Sequence, residues 1–249
     1  MTWLEGLALS ATQGLDGRVR EALYARGVTD EQIVAFRIGY LDRRLPDLAY
    51  SQAFLNWSSH SNAAPGSKLD DVFVLPLTNT LGQVKGFQFR HVERARGGYM
   101  DFIAEKGEAV LFGLDQAMPH IWKSRSVWLV EGAFDLFPVQ RCYPPTVATL
   151  TNRVVTPLVR ILRRLVDQIW VGYDMDKPGR DACARFAKHH GHEFGVGIVK
   201  YPQVTTLDGS VIKDPADLWE VWGDTQFASF VRATLARSRT EPFDAETLW

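Results

Sequence analysis

The sequence predicts an α/β protein, with a parallel sheet and flanking helices, preceded by a smaller α+β segment. From Val127 onward, short apolar runs alternate with helix-like stretches, which is the pattern of strand–helix–strand units. Upstream, two β-like runs, Val72–Leu77 and Gln83–Arg90, are separated by a glycine-containing turn. That arrangement predicts an antiparallel hairpin. The two regions therefore differ in strand direction as well as in size.

Two short helices are predicted before the hairpin, at Asp16–Arg26 and Asp30–Arg37. Thr29 with Gln32 three residues later has the spacing of a capping box, and Gly27 suits the end of the first helix. The predicted strands and helices of the second region are, in order, Val127–Glu131, Ala133–Arg141, Thr146–Thr149, Pro157–Val166, Gln168–Asp174, Asp181–His190, Val196–Tyr201 and Pro215–Val221.

Composition excludes several classes of protein. A chain of 249 residues with 46% hydrophobic residues is long enough to bury a substantial core, and its net charge of −1 argues against a surface covered in positive charge. The two cysteines, Cys142 and Cys183, lie far apart, which predicts neither a zinc ribbon nor a disulfide framework. No apolar run approaches the length of a membrane span, so we expect a cytoplasmic protein with no membrane partner.

Acidic residues follow two of the apolar runs. Glu131 ends the run SVWLV, and Asp174 and Asp176 follow QIWVGY. Because ligands of parallel sheets bind beyond the carboxyl ends of the strands, we expect these carboxylates to lie in one place. Clustered carboxylates repel one another unless a cation neutralises them, and Mg²⁺ or Mn²⁺ prefers oxygen ligands.

Each of these acids also has a purely structural interpretation as a helix cap. Asp176 precedes Pro178 and a helix-like stretch, which suits an N-cap with proline in the first turn. Capping explains any one acid, whereas three acids at two strand ends favour a metal site.

The segment VEGAFD, followed further along by YDMDKPGRDA, resembles the toprim module of bacterial and phage primases, type IA and type II topoisomerases and some nucleases. Three upstream segments resemble the polymerase core of bacterial primases: ALYARGVTDEQIVAFRIGY, VFVLPLTNTLGQVKGFQFR and KGEAVLFGLDQA. Downstream, KDPADLW resembles the last acidic motif of that family. The resemblance runs from near Leu23 to near Trp219.

This resemblance implies a primase, which makes RNA primers on a single-stranded DNA template from ribonucleoside triphosphates by metal-dependent nucleotidyl transfer. It implies catalytic roles for Glu131, Asp174 and Asp176. The candidate ligands of Mg²⁺ or Mn²⁺ are Glu131, Asp174, Asp176, Asp214, Asp135 and Asp217. Alternative functions are those of other toprim proteins, either a metal-dependent nuclease or a non-catalytic single-strand-binding factor of recombination or replication.

Three of these candidate ligands also have an alternative role as helix caps. Asp135 follows Glu131 by one helical turn, so either it reaches the same end of the sheet as Glu131 or it caps its own helix. Asp214 precedes Pro215, and Asp217 falls at the third helical position, so capping alone explains both.

Basic residues supply the candidate nucleic-acid contacts. Arg90 and Lys106 match family positions that contact template or nucleotide phosphates, and Lys85 and Arg94 belong to the same basic stretch. The alternative for these side chains is an ordinary solvated surface. A second basic group comprises Arg153, Arg160, Arg163 and Arg164.

The sequence departs from the family at Gly98, where a lysine is usual, and at Ala216, where an aspartate is usual. The zinc module and helicase-binding domain of complete primases have no counterpart in it. We therefore expect a bare polymerase core of phage or plasmid type, with a zinc module and a replicative helicase acting in trans. The expected divisions are 1–122 for the α+β subdomain, 123–203 for the toprim domain and 204–249 for the last acidic motif and C-terminal helices.

Overall fold

The computed structural model describes residues 1–42, 45–59, 69–93, 99–104, 110–151, 156–202, 204–205 and 211–237. The chain divides into two compact units, Met1–Glu108 and Ala109–Trp249. Each unit contains a four-stranded sheet and a hydrophobic core of its own. The finer three-part division expected from the sequence stays a prediction.

The first unit is built on an antiparallel sheet of order β1-β2-β3-β4. Its elements are α1 (Trp3–Gln13), α2 (Gly17–Tyr24), α3 (Asp30–Ala35), β1 (Gly39–Leu41), α4 (Gln52–Ser59), β2 (Val72–Thr78), β3 (Val84–His91) and β4 (Tyr99–Ile103). The predicted hairpin is confirmed as β2 and β3, which a turn with Gly82 at φ 73° connects.

Local sequence explains where the short helices begin. The Gln32 amide donates to the Thr29 hydroxyl at 3.3 Å, and the Thr29 amide donates to Gln32 Oε1 at 3.2 Å. The predicted capping box is therefore confirmed at the start of α3. Gly39 permits the close approach of α1 to β1, because a side chain there would place its Cβ 2.5 Å from that of Ala11. Any larger residue at position 39 would separate the helix from the sheet.

The second unit is built on a parallel sheet of order β6-β5-β7-β8. Its elements are α5 (Leu114–Ser124), β5 (Ser126–Val130), α6 (Ala133–Cys142), β6 (Thr146–Ala148), α7 (Thr156–Leu165), β7 (Gln168–Gly172), α8 (Lys177–His190), β8 (Gly195–Ile198) and α9 (Pro215–Arg237). The predicted α/β class and parallel sheet with flanking helices are confirmed. Helix α8 begins at Lys177 rather than at Asp181 as predicted.

Strand order in this sheet reverses after β6. The chain moves from β5 to the edge strand β6 and then returns past β5 to β7. Because crossovers between parallel strands are right-handed, such a reversal places α6 and α7 on opposite faces of the sheet. Side chains of α5, α7 and α8 share one core cluster with alternate residues of β5 and β7, including Leu129 and Val171. The crevice beyond the adjacent ends of β5 and β7 is therefore the switch point at which such sheets bind ligands.

Helix α9 is longer than the predicted Pro215–Val221. It continues to Arg237 and is kinked at Gly223, whose φ of 66° and ψ of 178° are not helical. A glycine at this position accommodates the positive φ without the steric penalty of a Cβ. Within the described part of the chain, no helix is long and apolar enough to cross a membrane.

Candidate active site

Two adjacent strands deliver the first predicted carboxylates to the switch point. Strands β5 and β7 pair in parallel register, with Val130 opposite Gly172. Glu131 follows β5 directly, and Asp174 lies two residues beyond β7. Both acidic residues therefore lie at the same edge of the sheet, as the sequence predicted.

The loop from β7 to α8 is held in a tight conformation. Asp176 caps α8, because its Oδ1 accepts a hydrogen bond from the Gly179 amide at 2.8 Å, and Pro178 lies in the first turn. A Cβ on Gly179 would lie 2.1 Å from the carbonyl oxygen of Asp174, so only glycine fits there without a shift of the loop. The capping interpretation of Asp176 is confirmed, and its Oδ2 takes no part in the cap.

The segment before α9 joins this loop through the backbone. The Met175 amide donates to the carbonyl oxygen of Lys213 at 2.6 Å, which brings the KDPADLW segment beside the β7–α8 loop. Asp214 Oδ1 accepts from the Asp217 amide at 2.8 Å, so Asp214 also caps its helix. Asp214 therefore caps its helix and also lies close enough to Asp174 for their charges to interact.

Two carboxylates at this edge, Asp174 and Asp214, resist ionisation. Burial, followed by the negative charge of Glu131, raises the pKa of Asp174 to about 7. Burial, followed by repulsion from Asp217 and then Asp174, raises the pKa of Asp214 to about 7. The positive charge of Lys213 acts in the opposite direction on both groups. Near neutral pH, these two carboxyls are therefore only partly ionised in the absence of a cation.

Glu131 and Asp135 belong to the same electrostatic cluster. Burial, and then the charge of Asp176, raises the pKa of Glu131. Within the described part of the chain, its buried Oε2 accepts no hydrogen bond. Asp135 is 8% exposed and accepts from the Gly132 amide at 2.9 Å, while burial and the charge of Asp214 raise its pKa well above the ordinary value. Asp135 therefore caps α6 and also contributes to the repulsion at this edge.

This acidic pole, defined as Glu131, Asp135, Asp174, Asp176, Asp214 and Asp217, suits a divalent cation in the chemistry of its donors. Every donor is a carboxylate oxygen, and the Glu131 oxygen that lacks a hydrogen bond is available to a ligand. As the side chains stand, however, no group of three or more His, Cys, Asp or Glu among the described residues is gathered closely enough to enclose a metal. The individual ligand assignments therefore stay predictions.

Of the basic residues predicted to contact nucleic acid, Lys85 and Arg90 have described positions, and these two lie apart. Arg90 lies near the end of β3, opposite Phe73 of β2, whereas Lys85 lies near the start of β3 beside an irregularity in register. The two residues are at opposite ends of one strand. Arg94 and Lys106 lie outside the described residues, as does Arg153.

Sequence reasoning missed Lys213 and Arg26. Lys213 carries the positive charge that opposes the pKa shifts of the acidic pole, and its position beside Asp214 in the KDPADLW motif was the available signal. Arg26 is 6% exposed and donates to the carbonyl oxygens of His91 and Val92 at 3.3 and 2.7 Å. It fixes the backbone just after Arg90, an arrangement for which the sequence carried no signal.

Comparison with known proteins agrees with this architecture. Residues 128–211 match the family model described as Toprim-like. The DNA primase of Lactococcus lactis subsp. lactis is 26% identical over 217 residues, which cover 80% of this chain and 34% of the relative. The chain thus spans about a third of the length of the curated relatives it matches.

Solved structures show the same fold across both units. The RNA polymerase domain of Mycobacterium tuberculosis primase DnaG is similar with a TM-score of 0.71 and 19% identity, covering 94% of this chain and 81% of that one. A DnaG primase catalytic domain bound to ssDNA has a TM-score of 0.70 and 20% identity, covering 98% and 86%. Residues 128–211 are therefore similar to the Toprim-like family, and the chain shares the fold of the DnaG primase catalytic cores.

Proposed function

We propose that this chain is a primase, which synthesises short RNA primers on single-stranded DNA from ribonucleoside triphosphates and depends on Mg²⁺ or Mn²⁺. The observation that carries the proposal is the acidic pole at the switch point between β5 and β7. Relatives that are DNA primases support it, as does the similar catalytic domain bound to ssDNA.

Primer extension requires a 3′-hydroxyl to attack the α-phosphate of a nucleotide while pyrophosphate leaves, and negative charge develops on the attacking and leaving oxygens. A divalent cation, when bound, supplies Lewis-acid stabilisation of that charge. Glu131, Asp174 and Asp176 would hold it, with Asp214 and Asp217 beside them. Because the pKa values of Asp174 and Asp214 are about 7, these carboxyls release protons when a cation binds.

Residues around the acidic pole hold these carboxylates in place. Gly179 packs against the Asp174 carbonyl, and the hydrogen bond from Met175 to Lys213 joins the β7–α8 loop to the start of α9. Rigid positioning matters because displacements of about 1 Å at a reacting centre reduce rates on the order of a hundredfold. Lys213 limits the repulsion among the carboxylates before a cation arrives.

Phosphate contacts form the second part of the proposal. Arg90 is the candidate with a described position, and the backbone beyond it is fixed by Arg26. Lys85, Arg94 and Lys106 are proposed as further contacts to template or nucleotide phosphates. A replicative helicase and a zinc module in trans are proposed as further partners.

A direct assay tests this function. The purified chain is incubated with single-stranded DNA, a short complementary RNA, four ribonucleoside triphosphates and Mg²⁺ or Mn²⁺, and products are resolved on a denaturing gel. We expect extension of the RNA, with much weaker synthesis when no primer is supplied. Asp181→Asn is the matched control, because Asp181 is an exposed α8 acid paired with Lys177 outside the pole. Absence of RNA with both metals contradicts the proposal, and cleavage of the DNA strand instead favours a nuclease.

A further inference from the structure

The second basic group of the sequence lies largely on helix α7, which carries three arginines and no acidic residue. Its inner side buries Leu158 and Leu162 in the core of the second unit. Its outer side exposes Arg160, Arg163 and Arg164. The helical period thus sorts apolar residues inward and guanidinium groups outward.

Only one of these three arginines is neutralised. Arg163 forms an ion pair with Glu193, which also contacts His190 at the end of α8. Arg160 and Arg164 form no ion pair with any carboxylate of the described residues. Since they are four residues apart, they lie one helical turn apart on the same side of α7.

Helix α8 continues this surface. Phe186 of α8 and Leu162 of α7 belong to the same core cluster, so both helices cover one face of the parallel sheet. Arg185 and Lys188 are exposed on α8 and, among the described residues, pair with no carboxylate. We define the basic helical face as Arg160, Arg164, Arg185 and Lys188.

The chemistry of this face favours phosphate. Asp181, one turn before Arg185 on α8, forms its ion pair with Lys177 and also feels the charge of Arg185. The chain has a net charge of −1, so four cations that form no ion pair among the described residues of α7 and α8 still create a local positive potential that the whole molecule lacks. Arginine presents a planar fork of donors that matches phosphate oxygens. Helices α7 and α8 expose no Phe, Tyr or Trp in their described residues, so charge rather than stacking on large aromatic rings dominates this face.

We propose that the basic helical face binds the phosphate backbone of nucleic acid at a site separate from the acidic pole. This inference rests on the proposed function for the presence of nucleic acid, but it concerns a different surface. Lys188 lies about 18 Å along α8 from Asp176, given 1.5 Å of rise per residue. The contact is therefore independent of base sequence and holds strand segments away from the reacting end.

Neutralising two arginines tests the face. Arg160→Gln/Arg164→Gln is compared with Arg20→Gln/Arg232→Gln, which makes the same change in net charge away from this face, at a partly exposed arginine paired with Asp30 and at an exposed one. Fluorescence anisotropy measures the affinity for a labelled single strand and for the matching duplex over a range of salt concentrations. We expect on the order of tenfold weaker binding and a slope of log K against log salt shallower by about two, one phosphate contact per arginine. The control variant keeps the wild-type slope.

Other outcomes have defined meanings. Weaker binding of Arg160→Gln/Arg164→Gln to the duplex alone, or to both probes, supports the proposed face and identifies the form of nucleic acid that it binds. Equal affinity and slope in the two double variants overturn the inference. Primer extension by the same proteins separates the two proposals: wild-type RNA synthesis with unchanged binding in the variant refutes only the face. Absence of RNA synthesis by the wild-type chain, together with weakened backbone binding in the variant, refutes only the polymerase assignment.

Discussion

The acidic pole and the basic helical face show two ways in which one folded unit accommodates like charges. At the pole, Asp135 is buried, Asp174 and Asp214 are partly buried beside other carboxylates, and the pKa values of Asp174 and Asp214 rise to about 7. On the face, Arg160 and Arg164 point into solvent, where water and salt screen their repulsion. Burial therefore makes the pole responsive to protons and cations, whereas exposure makes the face responsive to ionic strength.

Removing a carboxylate from the pole should have the largest effect. We expect Asp174→Asn and Glu131→Gln each to slow RNA synthesis at least about a hundredfold, because several kcal/mol of charge stabilisation are lost. Thermal unfolding without metal should occur at the same or a higher temperature, because repulsion is relieved. Asp181→Asn should behave as wild type. Wild-type rates in either pole variant would refute the assignment of the pole as the reacting site.

The Asp214 carboxylate separates capping from metal binding. Serine caps helices about as well as aspartate, so Asp214→Ser should change the free energy of unfolding by less than about 1 kcal/mol. A hydroxyl is a poorer magnesium ligand than a carboxylate, so most of the activity should be lost. Asp217→Ser should lose less. Full activity of Asp214→Ser throughout a magnesium titration would show that Asp214 is only a cap.

Gly179→Ala tests whether the pole needs its rigid loop. The added Cβ would lie 2.1 Å from the Asp174 carbonyl oxygen, so the loop must move. We expect a loss of about 1–3 kcal/mol in the free energy of unfolding, as for other overpacked sites, and roughly tenfold slower synthesis. Gly17→Ala is the control, since a Cβ there meets nothing within 4 Å. Equal stability and activity of the two variants would show that the loop tolerates displacement.

The last prediction concerns the pH dependence of stability without metal, which tests the pole without any measurement of activity. Folding raises the pKa of Asp174 from its ordinary value of 3.8 to about 7, so the folded state favours the protonated carboxyl. Its stabilising contribution is complete below about pH 4 and is lost as pH rises through 7. Thermal melts in EDTA should show wild type losing stability over that interval relative to Asp174→Asn, and Mg²⁺ should oppose the loss. Parallel pH profiles of the wild type and Asp174→Asn would mean that the pKa of Asp174 is not raised in the metal-free protein.

Much of the site was predictable because its signals are local. The acids at the ends of two apolar runs, the capping box at Thr29 and the hairpin around Gly82 each depend on a few neighbouring residues. The start of α8 was predicted too late, although Asp176 with Pro178 already has the sequence of a cap and first turn. The extent of α9 was also missed, because Gly223 suggests an end of the helix while the structure uses it as a kink.

By itself, the sequence determined the alternation of strands and helices and the residue types that follow each strand. Only the tertiary structure decided that β7 lies beside β5 with β6 at the edge, which puts Glu131 and Asp174 at a switch point. It also decided that the Lys213 carbonyl accepts a hydrogen bond from the Met175 amide and that α7 and α8 pack on the same core cluster. Strand order and helix docking depend on contacts between distant residues, whereas periodicity, caps and turns are properties of adjacent ones.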